Sequence, residues 1–169
     1  AENIYNEQNL ISPEDGSTSR TTHIKFEWEQ VPDAISYIVE IDLPNGSTFI
    51  SEIQSSLIYI NTEIFLWNSN YIWRVFPIFN EGSLGSSIAE YNFSIGNSRS
   101  EAYANEYNSE AYSDGVTIFG SFFDYYSAAI DEEGNEIWNT GNDNTIFYNT
   151  DYYGQLFGCT YDNSLGHNL

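Results

Sequence analysis

The groups in this 169-residue sequence able to take part in chemistry are few in kind: two histidines, one cysteine, four Lys/Arg and 25 Asp/Glu. A histidine nucleophile needs a neutral imidazole and nearby cations to hold the group being transferred. His23 sits at an outward position of an alternating segment and reads as a surface residue. His167 lies near the C-terminal end and falls in no motif. Cys159 is alone, so no internal disulfide is possible, and no neighbouring His offers itself as a base. It reads as a small buried hydrophobe. No Ser/His/Asp set, Gly-rich phosphate loop or metal-ligand cluster is present. No catalytic residue is therefore assigned.

The carboxylates invite a metal reading. Asp131-Glu132-Glu133-Gly134-Asn135-Glu136 lacks the spacing of an EF-hand loop, and a solvated hairpin tip accounts for it better. Asn142-Asp143-Asn144 reads as a turn. Oxygen-rich turns can hold calcium weakly, so the metal assignment stays open, and no other cofactor is expected. The formal net charge of -21 repels nucleic acid and anionic membranes. Solubility in a salty medium and capture of divalent cations both fit such a surface. No apolar run approaches the roughly 20 residues that cross a bilayer, so membrane insertion is not expected.

Aromatic rings form two clusters, Phe122-Phe123-Asp124-Tyr125-Tyr126 and Tyr148-x-x-Asp151-Tyr152-Tyr153. Rings beside carboxylates and amides grip sugars in many secreted modules. The competing reading packs them against neighbouring sheets or a partner chain. Phe123, Tyr125, Tyr126, Tyr152 and Tyr153 are the candidate ligand or partner contacts. Asn45-Gly46-Ser47 and Asn92-Phe93-Ser94 match the glycosylation pattern, with Asn45 and Asn92 as acceptors. The sequence has no Met, so Ala1 reads as a processed end. Together these point to a secreted or cell-surface protein.

Strands must position these groups. Residues 1–8 carry no periodicity and read as a leader. Ser12-Pro13-Glu14-Asp15-Gly16 is a turn cluster closing the first strand. Ile24, Phe26 and Trp28 then share one face and His23, Lys25 and Glu27 the other, the period of a half-buried strand. Tyr37, Val39 and Ile41 repeat it, and Pro44-Asn45-Gly46 predicts a type I′ hairpin. Phe49–Ile53, Leu57–Ile60, Tyr71–Val75 and Tyr91–Ile95 complete seven strands, the number expected of an immunoglobulin-like sandwich over 9–96. Residues 97–113 have no sustained period and read as a linker. Five further strands are expected in 114–169: Val116–Phe123, Ser127–Asp131, Glu136–Thr140, Thr145–Thr150 and Gln155–Tyr161. The first four would make one antiparallel sheet of propeller-blade size, and the fifth would begin another.

Two stretches carry family likenesses. Pro13-x-x-Gly16, Phe26-x-Trp28, Val31-Pro32-Asp33-Ala34-x-x-Tyr37-x-Val39-Glu40, Tyr71-Ile72-Trp73-Arg74-Val75, Gly85-Ser86-Ser87 and Phe93 resemble a bacterial extracellular fibronectin type III domain. Where that family usually has a Leu-Pro-x-Thr-type corner, this chain has Phe65-Leu66-Trp67-Asn68-Ser69-Asn70 before Tyr71. Asp114-Gly115-Val116-Thr117-Ile118-Phe119-Gly120-Ser121, Ser127-Ala128-Ala129-Ile130-Asp131, Gly134-x-x-Ile137-Trp138-Asn139 and Tyr153-Gly154-Gln155-Leu156-Phe157-Gly158-Cys159 resemble the opening blade of a secreted arylsulfotransferase-like β-propeller.

The second resemblance implies sulfuryl transfer between phenolic compounds in an intact parent, by a histidine supported by further His and Arg. Neither His23 nor His167 aligns with that histidine, and Arg99 is the sole Arg near the region. The expectation is therefore an all-β, non-catalytic module: a fibronectin-like spacer or adhesion domain joined to the start of a propeller. Its partners would be other protein chains or remaining domains of the parent. Two alternatives stay open, a surface or filament subunit assembling by strand pairing and a carbohydrate-binding module.

Overall fold

The computed structural model describes residues 9–100, 115–162 and 166–168. The predicted leader and most of the predicted linker lie outside these. The described residues form 14 strands and one short 3-10 turn, so the chain is all-β. No helix among them is long and apolar enough to cross a membrane. Two compact units divide between Gly96 and Asn97.

The first unit contains β1 (Leu10–Ser12), β2 (Ser17–Ser19), β3 (Ile24–Trp28), β4 (Ala34–Asp42), β5 (Thr48–Ile53), β6 (Leu57–Ile60), β7 (Ser69–Phe79) and β8 (Glu90–Ile95). A three-stranded sheet in the order β1-β3-β6 faces a five-stranded sheet in the order β2-β8-β7-β4-β5. The alternation read from the sequence decides which residues lie between them. Ile24, Phe26 and Trp28 from one sheet and Tyr37, Val39, Ile41, Tyr71, Trp73 and Val75 from the other are all buried. Phe26 sits edge-on to Trp73 at 5.0 Å and to Phe93 at 5.8 Å, so aromatic rings join the two layers. Each such ring stabilises the core by about 1.5–3 kcal/mol through burial and gains more from its edge-to-face geometry.

Three details depart from the sequence reading. An eighth strand, β2, runs parallel to β8 with Ser17 opposite Phe93. Its three residues Ser-Thr-Ser carry no apolar alternation to betray it. The β4–β5 connection is not a type I′ turn: Gly46 N–H donates to the Leu43 carbonyl at 2.9 Å and Leu43 N–H to the Ser47 carbonyl at 2.8 Å. Only Gly46 in it has a positive φ, +83°. The turn formed is Leu43–Gly46, with Pro44 at its second position, where a ring-held φ near -65° suits type I and excludes a primed turn centred on Pro44-Asn45. Third, the segment before Tyr71 lacks the usual corner residues yet makes a corner. The Tyr71 hydroxyl accepts from Leu66 N–H at 2.7 Å and donates to the Ile64 carbonyl at 3.3 Å.

The second unit contains β9 (Thr117–Ser121), β10 (Tyr126–Ile130), β11 (Glu136–Asn139), β12 (Thr145–Thr150), β13 (Leu156–Asp162) and β14 (Gly166–Asn168). Its strands form two antiparallel three-stranded sheets, β11-β10-β9 and β12-β13-β14. The expected four-stranded sheet is thus not formed: β12 leaves β11 and pairs with β13 instead. The reason lies in Thr140–Asn144. Thr140 exchanges hydrogen bonds with Ser127, its N–H to the Ser127 carbonyl at 3.0 Å and its Oγ1 accepting from Ser127 N–H at 3.1 Å. That turns the chain back across β10 rather than alongside β11.

β12 is then fastened to β10 by a buried serine. Ser127 Oγ accepts from Phe147 N–H at 2.6 Å and donates to the Thr145 carbonyl at 3.3 Å. Two glycines permit the approach. A Cβ on Gly120 would stand 2.4 Å from Ile146 Cγ2, and one on Gly158 would stand 1.9 Å from the Ile146 carbonyl oxygen. No larger residue fits either place without moving β12.

Candidate functional site

The second unit carries a repeated turn that the sequence reading did not single out. Asp131-Glu132-Glu133-Gly134-Asn135 joins β10 to β11, and Asp151-Tyr152-Tyr153-Gly154-Gln155 joins β12 to β13. In each, the Asp N–H donates to the carbonyl four residues on, and the Gly N–H returns to the Asp carbonyl. Each Asp Oδ1 also accepts two backbone N–H groups, those of Glu133 and Asn135 at 3.0 and 2.8 Å and those of Tyr153 and Gln155 at 2.9 and 3.0 Å. Both glycines have positive φ, +86° and +77°. The signal in the sequence is Asp-x-x-Gly followed by an amide residue, twice at a 20-residue interval. These carboxylates satisfy turn donors and so play a structural part.

Between β9 and β12 runs a groove of about 430 Å³. Ile118, Gly120 and Phe122 line one wall, and Ile146, Tyr148, Asn149, Thr150 and Leu156 line the other. The Gly120–Ile146 approach closes its floor. Because Phe122 belongs to the β9–β10 tip while Thr150 and Leu156 flank the Asp151–Gln155 tip, two clusters far apart in sequence meet at this groove. The rings at those tips are bare: Phe123 is 97%, Tyr152 96% and Tyr153 84% exposed. Tyr152 and Tyr153 lie edge to face at 5.6 Å.

The other two candidate rings are packed. Tyr125, in the left-handed region at φ +47°, stacks on Tyr161 at 4.4 Å. Tyr126 lies under the Arg99 guanidinium, 4.7 Å from its ring centre. Arg99 is further occupied by the Gly141 and Asp124 carbonyls. Its own N–H and that of Ser100 donate to the Glu136 carboxylate, and Asn139 Nδ2 bonds both Glu136 and the Asn97 carbonyl. Arg99 thus clasps residues 97–100 to the second unit, and its guanidinium is filled with carbonyls rather than aimed at a ligand.

The remaining singled-out residues lie elsewhere. His23, half-buried, precedes β3 and meets Tyr59 edge-on at 6.1 Å. His167 contributes backbone to β14 opposite Tyr161; its side chain lies outside the described residues. Cys159 is buried and unpaired. Asn45 is exposed at its hairpin tip, its Oδ1 accepting from Ser47 N–H and Oγ at 3.0 and 2.7 Å. Asn92 lies within β8, its amide nitrogen donating to Asp15 Oδ1 at 2.7 Å. Among the described residues no group of three or more His, Cys, Asp or Glu is placed to hold a metal ion.

On the outer face of the five-stranded sheet, Arg74 bridges Asp42 at 2.8 Å and Glu90 at 2.5 Å. The Arg74 hydrogen bond holds the Asp42 carboxyl below its ordinary value. Burial pushes the Tyr71 phenol up, against the opposing pull of the Leu66 N–H. No protein-family model matches the chain, and no curated protein matches it either.

Proposed function

We propose that the chain is a non-catalytic extracellular module, a fibronectin type III-like spacer or adhesion domain followed by the opening of an arylsulfotransferase-like β-propeller. The β1-β3-β6 and β2-β8-β7-β4-β5 sheet orders and the Tyr71 hydroxyl bonded back to Leu66 support the first half of this reading. The second half rests on meandering three-stranded sheets and on the turn repeated at Asp131 and Asp151, since a propeller is built from repeated meanders. In an intact parent the reaction would be sulfuryl transfer between phenolic compounds, carried out by residues other than those in this chain.

The observation that carries the non-catalytic reading is the state of the cations. Sulfuryl transfer needs guanidinium or imidazolium groups free to hold sulfate oxygens. Of the four Lys/Arg, Arg74 is committed to Asp42 and Glu90, Lys25 to Glu27 at 2.6 Å, Arg99 to backbone carbonyls and the Tyr126 ring, and Arg20 is not free either. The test is turnover of a phenyl sulfate ester, with a phenol as acceptor, by this chain alone. No product above the buffer rate is expected. Turnover abolished by His23→Ala or His167→Ala would overturn the reading.

A further inference from the structure

We propose that the groove between β9 and β12 is a binding site for a neutral oligosaccharide, with Phe122 and Tyr148 of its lining, and Tyr152 and Tyr153 at the adjoining Asp151–Gln155 tip, supplying stacking faces and hydroxyls. This stands independently of the spacer and propeller reading.

The first argument comes from the repeated turn. Asp131–Asn135 and Asp151–Gln155 share one backbone geometry, yet the first places Glu132 and Glu133 at its tip and the second Tyr152 and Tyr153. The turn itself therefore does not require rings. Two tyrosines held bare to water beside a groove lose the burial that usually retains an aromatic residue. Their placement is accounted for by something that covers them.

The groove states the chemistry of that occupant. Among the described residues none of its lining side chains is charged, and the polar groups they supply are the Tyr148 hydroxyl, the Asn149 amide and the Thr150 hydroxyl. Amide and hydroxyl groups interleaved with rings match a sugar, which offers an apolar C–H face to an aromatic plane and hydroxyls to amides. A volume of about 430 Å³ falls in the range of small-molecule sites.

Charge removes the competitors. A sulfated or uronate polysaccharide would approach a chain of net charge -21 with no cation among the described residues of the groove to receive it. A second copy of this chain carries the same net charge of -21 and is repelled on approach.

The experiment titrates the intact chain with cellohexaose, xylohexaose and maltohexaose, and with polygalacturonate and chondroitin sulfate as anionic probes. Calorimetry and tyrosine difference absorbance read the binding. At least one neutral hexaose is expected to bind, and Tyr152→Ala/Tyr153→Ala to weaken it about tenfold, the loss of two stacked rings. Phe122→Ala should do likewise. Phe157→Ala, exposed but outside the groove, should leave affinity unchanged. Near-ultraviolet circular dichroism of each variant shows that the fold is retained, and the tip tyrosines make no packing contact that the fold needs. Failure of all three neutral probes with folded protein overturns the proposal. So does equal binding of the anionic chains, or affinity indifferent to Tyr152 and Tyr153. Light scattering that finds a dimer dissociated by Phe122→Ala would assign the groove to self-association and overturn it as well.

Discussion

The Tyr71 corner offers a sharp test of how the sandwich is held. Tyr71→Phe keeps the ring, which is 1% exposed and packed between Phe65 at 5.2 Å and Phe93 at 5.2 Å. It opens no large cavity and removes only an oxygen. That oxygen accepts from Leu66 N–H and donates to the Ile64 carbonyl. The bond is part-buried, so leaving the Leu66 donor without its partner costs at most the about 1–3 kcal/mol of a buried group. Taking about 2 kcal/mol, a unit of this size loses about 8–16 °C in its melting midpoint. Urea unfolding followed by tryptophan fluorescence measures it, since three of the four tryptophans, Trp28, Trp67 and Trp73, lie in this unit.

The pH dependence adds a second signature. The folded phenol titrates above its ordinary value of 10.0 because burial disfavours the phenolate. The stability it brings is fully present below pH 10 and is lost as pH rises through the raised folded value. Phenylalanine cannot ionise, so the gap between wild type and Tyr71→Phe should narrow above pH 10. Tyr59→Phe, at an exposed ring, serves as the control and should stay within about 0.5 kcal/mol of wild type. A Tyr71→Phe protein as stable as the control, or a gap that stays constant above pH 10, would refute the reasoning.

Other substitutions probe the second unit and the sheet surface. Ser127→Ala strands the half-buried Phe147 N–H and should cost about 1–3 kcal/mol, seen as faster amide exchange across Tyr126–Ile130 and Thr145–Thr150. Gly158→Ala sets a methyl against the Ile146 carbonyl and should cost at least the about 1–3 kcal/mol of ordinary overpacking, with β12–β13 amides losing protection first. Arg99→Ala removes the cover of Tyr126 and the donors to Gly141 and Asp124; limited proteolysis should then cut near residues 97–100 faster than in wild type. Asp42 contributes fully above its unfolded value of 3.8 and loses that contribution as pH falls through its lowered folded value. Asp42→Asn should therefore flatten the acid limb of the stability profile, by less than about 1 kcal/mol because the pair is partly open to solvent, which screens it.

The sequence alone determined the layers of the first unit. A period of two in His23–Glu29, Tyr37–Ile41 and Tyr71–Val75 allows one inward face, and burial follows that face in every case. It also foretold the all-β class, because short alternating runs with frequent turn residues leave no helical stripe to bury. It did not reveal β2, whose pairing depends on backbone alone, nor the corner at Tyr71, which is built from main-chain groups of Ile64 and Leu66 rather than from a recognisable side chain.

Only the tertiary structure decided the second unit. Whether β12 pairs with β11 or leaves for another sheet turns on the Thr140–Ser127 hydrogen bonds, one serine hydroxyl and two glycines, contacts that span 12 to 26 residues of chain. Strand periodicity is blind to such contacts, since it reports which face a side chain takes and not which strand lies beside it. The same holds for the aromatic clusters. Their composition was plain, but the sorting into bare Phe123, Tyr152 and Tyr153 and packed Tyr125 and Tyr126 came from where Tyr161 and Arg99 lie in space. A ring's role is set by what reaches it, and that is a property of the fold.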